Sequence, residues 1–414
     1  MGGTIAGGVA TDDARAHALS ATTGAPAPAR KALPNLLRRL NERTVFELVR
    51  RRGPTSRADL KRHMGVSAPT VSKAVAHLLD AGFLEEVGTA PVGGAGRPVV
   101  VYRLARGRAQ VLGATIGVRS CTVVAAGLDG KIDDAATLSF PTPKTYAALI
   151  AALADAARQR MPRRDVTTLG LGVSAPGEID ARSQRVLLSP NLRMLDGQSP
   201  GHDLGQKLGI EVTLVHDTVG SGLAEQHYGV ARDVTDFVRI GVLEAFGVSV
   251  VSGGRLVAGR RGLAGELGHV TVDLDGAPCG CGNRGCLETV ATDAAFARAV
   301  SRRLGRKLEI EDVLRLARGG EVDVRPELDR TLAYLAVGVA AAVNLFNPEA
   351  VLVCSRMFDA DPAAFDRLTE MTAARALRPL MDDCRILRTD ANAPLGAVAS
   401  IISHLTNSLG PLVG

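Results

Sequence analysis

"GAPCGCGNRGCLET" (residues 276–289) sets three cysteines and four glycines into one short stretch of a 414-residue chain that holds only six cysteines in all. Cys279, Cys281 and Cys286 form a tight set, and His269 lies a little upstream in "GLAGELGHV" (262–270). Structural zinc takes four soft or borderline ligands in a tetrahedron, and three cysteines with one histidine is a standard combination. The spacing, one residue and then four, differs from that of common zinc fingers. Gly280, Gly282 and Gly285 would let the backbone wrap closely around a metal. The competing reading is a set of reactive or merely buried thiols. Cys121, Cys354 and Cys384 stand alone in apolar or mixed settings, which predicts core thiols.

The compartment bears on that choice. No uninterrupted apolar run reaches the roughly 18–20 residues of a membrane span. The first thirty residues lack the basic-then-apolar layout of a secretory signal. The expected location is therefore cytoplasmic, where thiols stay reduced and a cysteine cluster points to metal before disulfide.

Outward from the cysteines, β-rich runs alternate with helical stretches. "VLGATIGV" and "CTVVAAGLDGKI" predict a hairpin, "YAALIAALADAARQRM" a helix, and "TLGLGVSAPG" and "VTLVHD" buried strands. "FVRIGVLEAFGVSVVSGGRLVAG" repeats the strand-pair pattern, and "LAYLAVGVAAAVNLFNP" is a long apolar helix leading into the strand "AVLVCSR". Such alternation argues an α/β body in two lobes.

Charge separates this body from what precedes it. Residues 1–108 carry 17 Lys/Arg against 8 Asp/Glu, whereas residues 109–414 carry 32 against 35. A basic amino-terminal segment on a mildly acidic body points to a nucleic-acid-binding module. Residues 1–35 read as a flexible tail, and structure is expected from near Leu36. "NERTVFELVRRRG" places Val45, Leu48 and Val49 on one helical face, and Gly53-Pro54 stops it. "TSRADLKRHMG" starts a short helix capped by Thr55 or Ser56, and Gly65 turns the chain. "VSAPTVSKAVAHLLDAG" follows, capped by Ser67 with Pro69 in the first turn.

Two short helices joined at a glycine, the second amphipathic, predict a helix-turn-helix. Ser67, Pro69, Thr70, Ser72, Lys73 and His77 line the outward face of the second helix, and small hydroxyls with a lysine suit the major groove. "FLEEVGTAPVGGAGRPVVVYRL" is two β-rich runs around a Gly-rich tip, the layout of a wing. Arg97 at that tip is placed to contact the minor groove or phosphate.

"GLAGELGHV" followed by "CGCGNRGCLET" closely resembles the E-x-G-H and C-x-C-G-x-x-G-C-x-E motifs of the ROK family (repressors, open reading frames and sugar kinases). The resemblance covers nearly all of residues 36–410. It implies an α/β chain with an N-terminal winged helix-turn-helix over 36–106 and a two-lobed, actin-like (ribonuclease H-like) ATPase fold over 109–414. By that resemblance Glu266, His269 and Glu288 contact sugar hydroxyls, while zinc is bound by His269, Cys279, Cys281 and Cys286. A physical reason supports the double duty of His269: metal on one imidazole nitrogen fixes the ring and leaves the other aimed into the cleft. In the family's kinases an Asn-Asp pair after a strand supplies a sugar contact and the general base. Here "LVHDTVGSGLAE" has His216-Asp217, so the Asp is present and the Asn is replaced. "SPNLRML" resembles the family's Asn-Leu segment, with Asn191 as a sugar contact.

The nucleotide side departs from the family pattern. Its kinases open with D-x-G-G-T-K, where this chain has "TIGVRS", with Thr115 in place of the Asp. The second phosphate loop resembles G-T-G-I-G-A-G and here reads "LEAFGVS" (243–249), with Glu244 adding negative charge. A Gly-Gly-rich segment near the adenosine becomes "VCSRM" (353–357). Phosphoryl transfer depends on backbone amides and Mg²⁺ around the phosphates, and each new Cβ obstructs close approach to the backbone.

The expectation is a transcriptional repressor of carbohydrate metabolism that binds a sugar or phosphosugar effector beside a structural zinc and lacks kinase activity. Its operator would be pseudo-palindromic and the protein a homodimer or homotetramer, since paired recognition helices need a fixed separation. Two alternatives stand beside it: an active ATP-dependent sugar kinase with an attached DNA-binding domain, and a regulator that no longer responds to sugar, which His216 keeps open.

Overall fold

The computed structural model describes residues 32–90, 99–133, 135, 137–161, 166–390 and 392–408. The first helix, α1 (Ala32–Arg52), begins earlier than the expected start near Leu36 and ends at Gly53, whose φ of 77° no side-chain-bearing residue adopts readily. Ser56 caps α2 (Arg57–Met64) by accepting from the Asp59 N–H (3.2 Å), and left-handed Gly65 ends it. Next comes α3 (Ala68–Asp80), with proline in its first turn. Val71, Ala74, Val75 and Leu78 of α3 pack against Val45, Phe46 and Val49 of α1 and Leu60 of α2 in one buried cluster. The wing strands β2 (Leu84–Ala90) and β3 (Val99–Leu104) are antiparallel, and the two-residue β1 (Thr55–Ser56) adds to them in the order β1-β3-β2. Helix-turn-helix and wing are thus both present. Residues 91–98 between the wing strands, Arg97 among them, lie outside the described residues.

The body repeats one sheet plan twice. In the amino lobe β4 (Ala109–Ile116), β5 (Ser120–Ala126) and β6 (Leu138–Pro141) form an antiparallel meander. After the crossover helix α4 (Tyr146–Arg160), β7 (Thr167–Ala175) pairs in parallel with β4, and β10 (Val212–His216) in parallel with β7. Between them lie the ribbon β8 (Glu178–Asp180) and β9 (Arg185–Leu188) and the helix α5 (Pro200–Leu208). Following α6 (Asp217–His227), the carboxy lobe starts over with the antiparallel β11 (Phe237–Val242), β12 (Phe246–Ser252) and β13 (Arg255–Leu256). It then adds α7 (Asp293–Leu304), α8 (Ile310–Arg318) and α9 (Arg325–Phe346) before β14 (Ala350–Cys354), parallel to β11. Helices α10 (Ala364–Ala373) and α11 (Arg378–Asp382) lead to β15 (Arg385–Arg388), parallel to β14. The orders β6-β5-β4-β7-β10 and β13-β12-β11-β14-β15 are therefore the same, hairpin strands first and parallel strands second. Each parallel step requires a crossover, which the intervening helices supply. This duplicated α/β arrangement is the actin-like ATPase fold.

By length and composition α9 is long and apolar enough to cross a membrane. Leu328, Leu332, Leu335, Ala336, Val339 and Val343 are instead fully buried in the carboxy-lobe core, so it serves as a core helix. Cys121, Cys354 and Cys384 are buried, as their isolated settings predict.

The last helix, α12 (Ala393–Ser408), leaves the carboxy lobe and returns to the amino lobe, where it packs on β4, β7 and α6. Its Val398, Ile401 and Ile402 belong to the same buried cluster as Val45, Phe46 and Val71 of the helix-turn-helix. The helix-turn-helix module and the amino lobe thus share one core.

Candidate ligand and metal site

The loop from Thr271 to Cys286 is a knot of short backbone bonds. The Cys279 N–H donates to the Asn283 carbonyl (2.8 Å), Gly285 N–H to Ala277 (2.8 Å), and Leu287 N–H to Val270 (2.9 Å). Gly285, at φ 64°, passes so near the Asp273 carbonyl oxygen that a Cβ would lie 1.6 Å from it. Gly282 also has positive φ, whereas Gly280 meets nothing within 4 Å and has an ordinary φ, so only two of the three expected glycines are required. This knot gathers one ligand atom from each of His269, Cys279, Cys281 and Cys286, all within 4.8 Å of one another. Cys281 Sγ and Cys286 Sγ are 3.8 Å apart, and Cys279 Sγ is 3.7 Å from His269 Nδ1. Metal–sulfur bonds of about 2.3 Å in a tetrahedron give edges of about 3.8 Å. The donor set and its spacing therefore fit a tetrahedral divalent metal. Without it, burial pushes the Cys286 thiol up to about 12.

His269 sits in a short 3-10 turn, Leu267–His269, and its Nε2 lies 3.7 Å from Glu266 Oε2. Partial burial, with the Glu178 and Glu288 carboxylates adding to it, holds Glu266 above the usual carboxylate range, against the pull of His216 and His269. The far side of the same ring faces the thiols. Glu288 Oε2 accepts from the Phe246 N–H (3.0 Å), and its Oε1 is 3.8 Å from Cys279 Sγ. His216 ends β10 and caps α6, its Nδ1 accepting from the Thr218 N–H (3.2 Å) and lying 3.1 Å from Asp217 Oδ1. Glu266, His269, Glu288 and His216 thus surround one region, with Asp217 beside His216. Asn191 is exposed in the turn after β9, and among the described residues no hydrogen bond ties it to the others.

Two groups at this site are absent from the sequence reading. Glu178 follows β7 at the carboxyl end of a parallel strand, where open α/β sheets place ligand-facing groups, and that position was its only signal. Asp180 of β8 accepts from the Ser183 N–H (3.1 Å) and from Arg261 of the carboxy lobe (Nε 2.8 Å, Nη2 2.7 Å); the Ser183 bond first, and then this bridge between lobes, hold the Asp180 carboxyl down at about 2. The Arg182 N–H (3.0 Å) adds to the same shift.

On the nucleotide side the chain fills its own loops. The β4–β5 turn closes on itself, Gly117 N–H donating to the Ser120 carbonyl (3.0 Å) and Thr142 Oγ1 to the Gly117 carbonyl (2.7 Å). From that turn Arg119 reaches Glu309 of the carboxy lobe (3.3 Å). In the β11–β12 turn the Phe246 amide is taken by Glu288. In the 353–357 segment, buried Asp293 accepts from Ser355 Oγ (2.6 Å) and from the backbone N–H groups of Arg356 (2.9 Å) and Met357 (3.0 Å). Burial still raises Asp293 to about 6, those hydrogen bonds opposing it. A cavity of about 650 Å³ opens beside this side, lined by Glu244, Arg298, Arg302, Arg306, Lys307 and Glu309, away from Glu266 and His269.

On the outward face of α3 and its cap Ser67, Pro69 and Lys73 are exposed, Thr70 and Ser72 half-buried. Ser67 Oγ pairs with Thr70 Oγ1 (2.8 Å) rather than with a backbone amide of α3. His77 is held differently from the others: its Nδ1 donates to Glu42 Oε1 of α1 (2.7 Å). Nothing in the local sequence signals that tether.

Comparison with known proteins fits this geometry. The ROK family model matches residues 111–402, and the chain belongs to the ROK family. The xylose repressor of Bacillus subtilis (strain 168) is 25% identical over 378 residues, covering 90% of this chain and 97% of that protein. A solved ROK family transcriptional regulator, described as a homolog of the E. coli MLC protein, superimposes with a TM-score of 0.78 at 25% identity. It covers 90% of this chain, which in turn covers 98% of it. ROK hexokinase from Thermus thermophilus has a TM-score of 0.62 at 26% identity and covers 73% of this chain and 100% of its own. The regulators therefore match more of the chain than the hexokinase does.

Proposed function

We propose that this protein is a DNA-binding transcriptional repressor of carbohydrate metabolism whose body senses a sugar or phosphosugar and does not phosphorylate it. The winged helix, 36–106, contacts pseudo-palindromic operator DNA through Ser67, Pro69, Thr70, Ser72, Lys73 and Arg97. The body, 109–414, binds the effector through Glu266, His269, Glu288, His216, Asp217 and Asn191. Zinc on His269, Cys279, Cys281 and Cys286 locks the imidazole so that Nε2 and the neighbouring carboxylates meet sugar hydroxyls in fixed positions. Asp217 accepts a hydrogen bond from the ligand and does no base chemistry. The tail expected over 1–35 gives way to α1 from Ala32, the working unit is a homodimer or homotetramer, and the compartment is the cytoplasm.

One contrast carries this reading. Carboxylates and imidazoles converge on the zinc side, while in the loops that stand where the family's kinases hold phosphate the amides of Phe246, Arg356 and Met357 are taken by Glu288 and Asp293, and the β4–β5 turn is tied through Arg119 to Glu309. Backbone amides already satisfied by carboxylates offer a nucleotide only charge repulsion.

The test uses the full chain, a DNA fragment it selects from a random pool, and a panel of D-xylose, D-glucose, N-acetylglucosamine and their phosphates. At least one panel member should raise the melting temperature and change DNA affinity, with ATP turnover at background. ATP consumption in step with loss of a panel sugar would overturn the sensor reading in favour of a kinase.

A further inference from the structure

Helix α6 carries candidate ligand contacts at one end and touches the DNA-binding module at the other. His216 and Asp217 form its amino-terminal cap and first residue. At its far end the His227 carbonyl oxygen accepts a 2.6 Å bond from Arg50 Nη1 of α1. That carbonyl belongs to the last turn of a helix, where acceptors lack intrahelical partners and partial negative charge accumulates. Arg50 is built for the position. Its side chain is 2% exposed, and Nε and Nη2 both donate to Glu47 Oε2 (3.1 and 2.5 Å), which fixes the guanidinium plane.

Between those ends α6 runs backbone-close to its neighbours. A Cβ at Gly222 would lie 2.3 Å from Ser249 Oγ of β12, and one at Gly220 3.1 Å from the Gly396 carbonyl of α12. Thr218 Cγ2 fills the place a Cβ on Gly247 would take. At the carboxyl end Gln226 donates to the Gly254 carbonyl (2.7 Å) and Tyr228 to the Leu128 carbonyl (3.1 Å), one in each lobe. Glycine inside a helix is unfavourable unless close packing needs it. An eleven-residue helix spans about 16 Å and does not compress along its axis.

We infer that Arg50 is a positioning residue for the effector response: it fastens α1 to the end of α6, so that a ligand-driven shift of α6 at His216 and Asp217 moves the winged helix as one piece. The inference rests on the proposed sugar site. Coupling of this kind is a ratio of DNA affinities with and without effector, and it needs an element that both sites bias.

The experiment compares parent, Arg50→Met and Arg50→Lys full-length proteins. Each is measured for DNA affinity with and without the panel sugar most active on the parent, and separately for affinity toward that sugar. Arg50→Met should bind sugar within twofold of the parent while the effector-induced change in DNA affinity shrinks at least fivefold. Arg50→Lys, which keeps a buried cation able to donate to the His227 carbonyl, should recover at least half of that change on a logarithmic scale. A merely structural arginine would weaken sugar or DNA binding and leave the ratio alone, which overturns the inference, as does a lysine variant no better than the methionine one. If Arg50→Met does not fold, the lysine variant decides alone: less than half the parental change overturns the proposal. A parent whose DNA affinity no panel sugar alters removes the sugar-site reading first, and the role of Arg50 with it.

Discussion

His269 and Glu266 stand 3.7 Å apart, Nε2 to Oε2, while Nδ1 of the same imidazole faces Cys279 Sγ at 3.7 Å. One ring therefore joins a metal-type ligand cluster to a carboxylate at the rim of the cleft. Whatever fixes the ring on its thiol side also fixes the hydrogen-bonding direction on the other.

Purified protein should contain one zinc per chain by elemental analysis. Chelation, or Cys281→Ser, should lower the melting temperature and weaken sugar binding together by roughly 10–100-fold, the range seen when the support of a metal-bound histidine is lost. Sugar affinity that survives complete metal removal would separate His269 from the ligand site.

Glu266 and Glu288 should behave differently on truncation. Glu288→Ala strips the acceptor from the Phe246 amide, and an unsatisfied donor of that kind costs about 1–3 kcal/mol. Glu266→Ala breaks no bond to a backbone amide, so its stability should stay within about 0.5 kcal/mol of the parent. Both should keep DNA binding and lose release by sugar. Denaturant melts and anisotropy titrations check the two halves.

At the wing, Arg97→Ala should weaken DNA binding and reduce the slope of log affinity against log salt by about 1. Lys73→Ala, on the exposed face of α3, should do likewise if it meets phosphate. His77→Ala acts through a different contact, because its ring is tied to Glu42. It should lower stability by about 0.5–1.5 kcal/mol, the range for one hydrogen bond.

Burial, with Arg50 adding to it, holds the His227 imidazole down at about 3, against about 6.5 in an unfolded chain. The unfolded state takes up a proton that the folded state refuses, so this contribution is fully present above about pH 6.5 and drains as pH falls toward 3. Asp293, raised to about 6 by burial, works in the opposite sense, its contribution shrinking as pH rises from about 4 through 6. His227→Phe removes only the first effect. Neither ring nitrogen of His227 has a hydrogen-bond partner, so the variant should match the parent at pH 7.5 and outlast it at pH 5 in thermal melts.

The elements that declare themselves locally were legible. Helix-turn-helix, wing strands, both hairpins and the parallel strands β7, β10 and β14 follow from apolar period and Gly/Pro punctuation, and the cysteine set from its own spacing, whereas the short parallel strand β15 escaped. What escaped depends on where distant segments meet. Nothing local in "PLGAVASIISHL" (394–405) says that Val398 and Ile401 complete a core begun by Val45. No local pattern marks Asp293, and only the fold brings the Arg356 and Met357 amides onto it. Glu42 and His77 lie 35 residues apart, and no local pattern links them.

The return of α12 has a bearing on biosynthesis. The platform under the DNA reader stays incomplete until Ile401 and Ile402 have emerged from the ribosome, although the reader itself is translated first. A prematurely terminated product lacking that stretch should carry a recognition helix on an exposed apolar seat, prone to degradation rather than to stray occupancy of promoters.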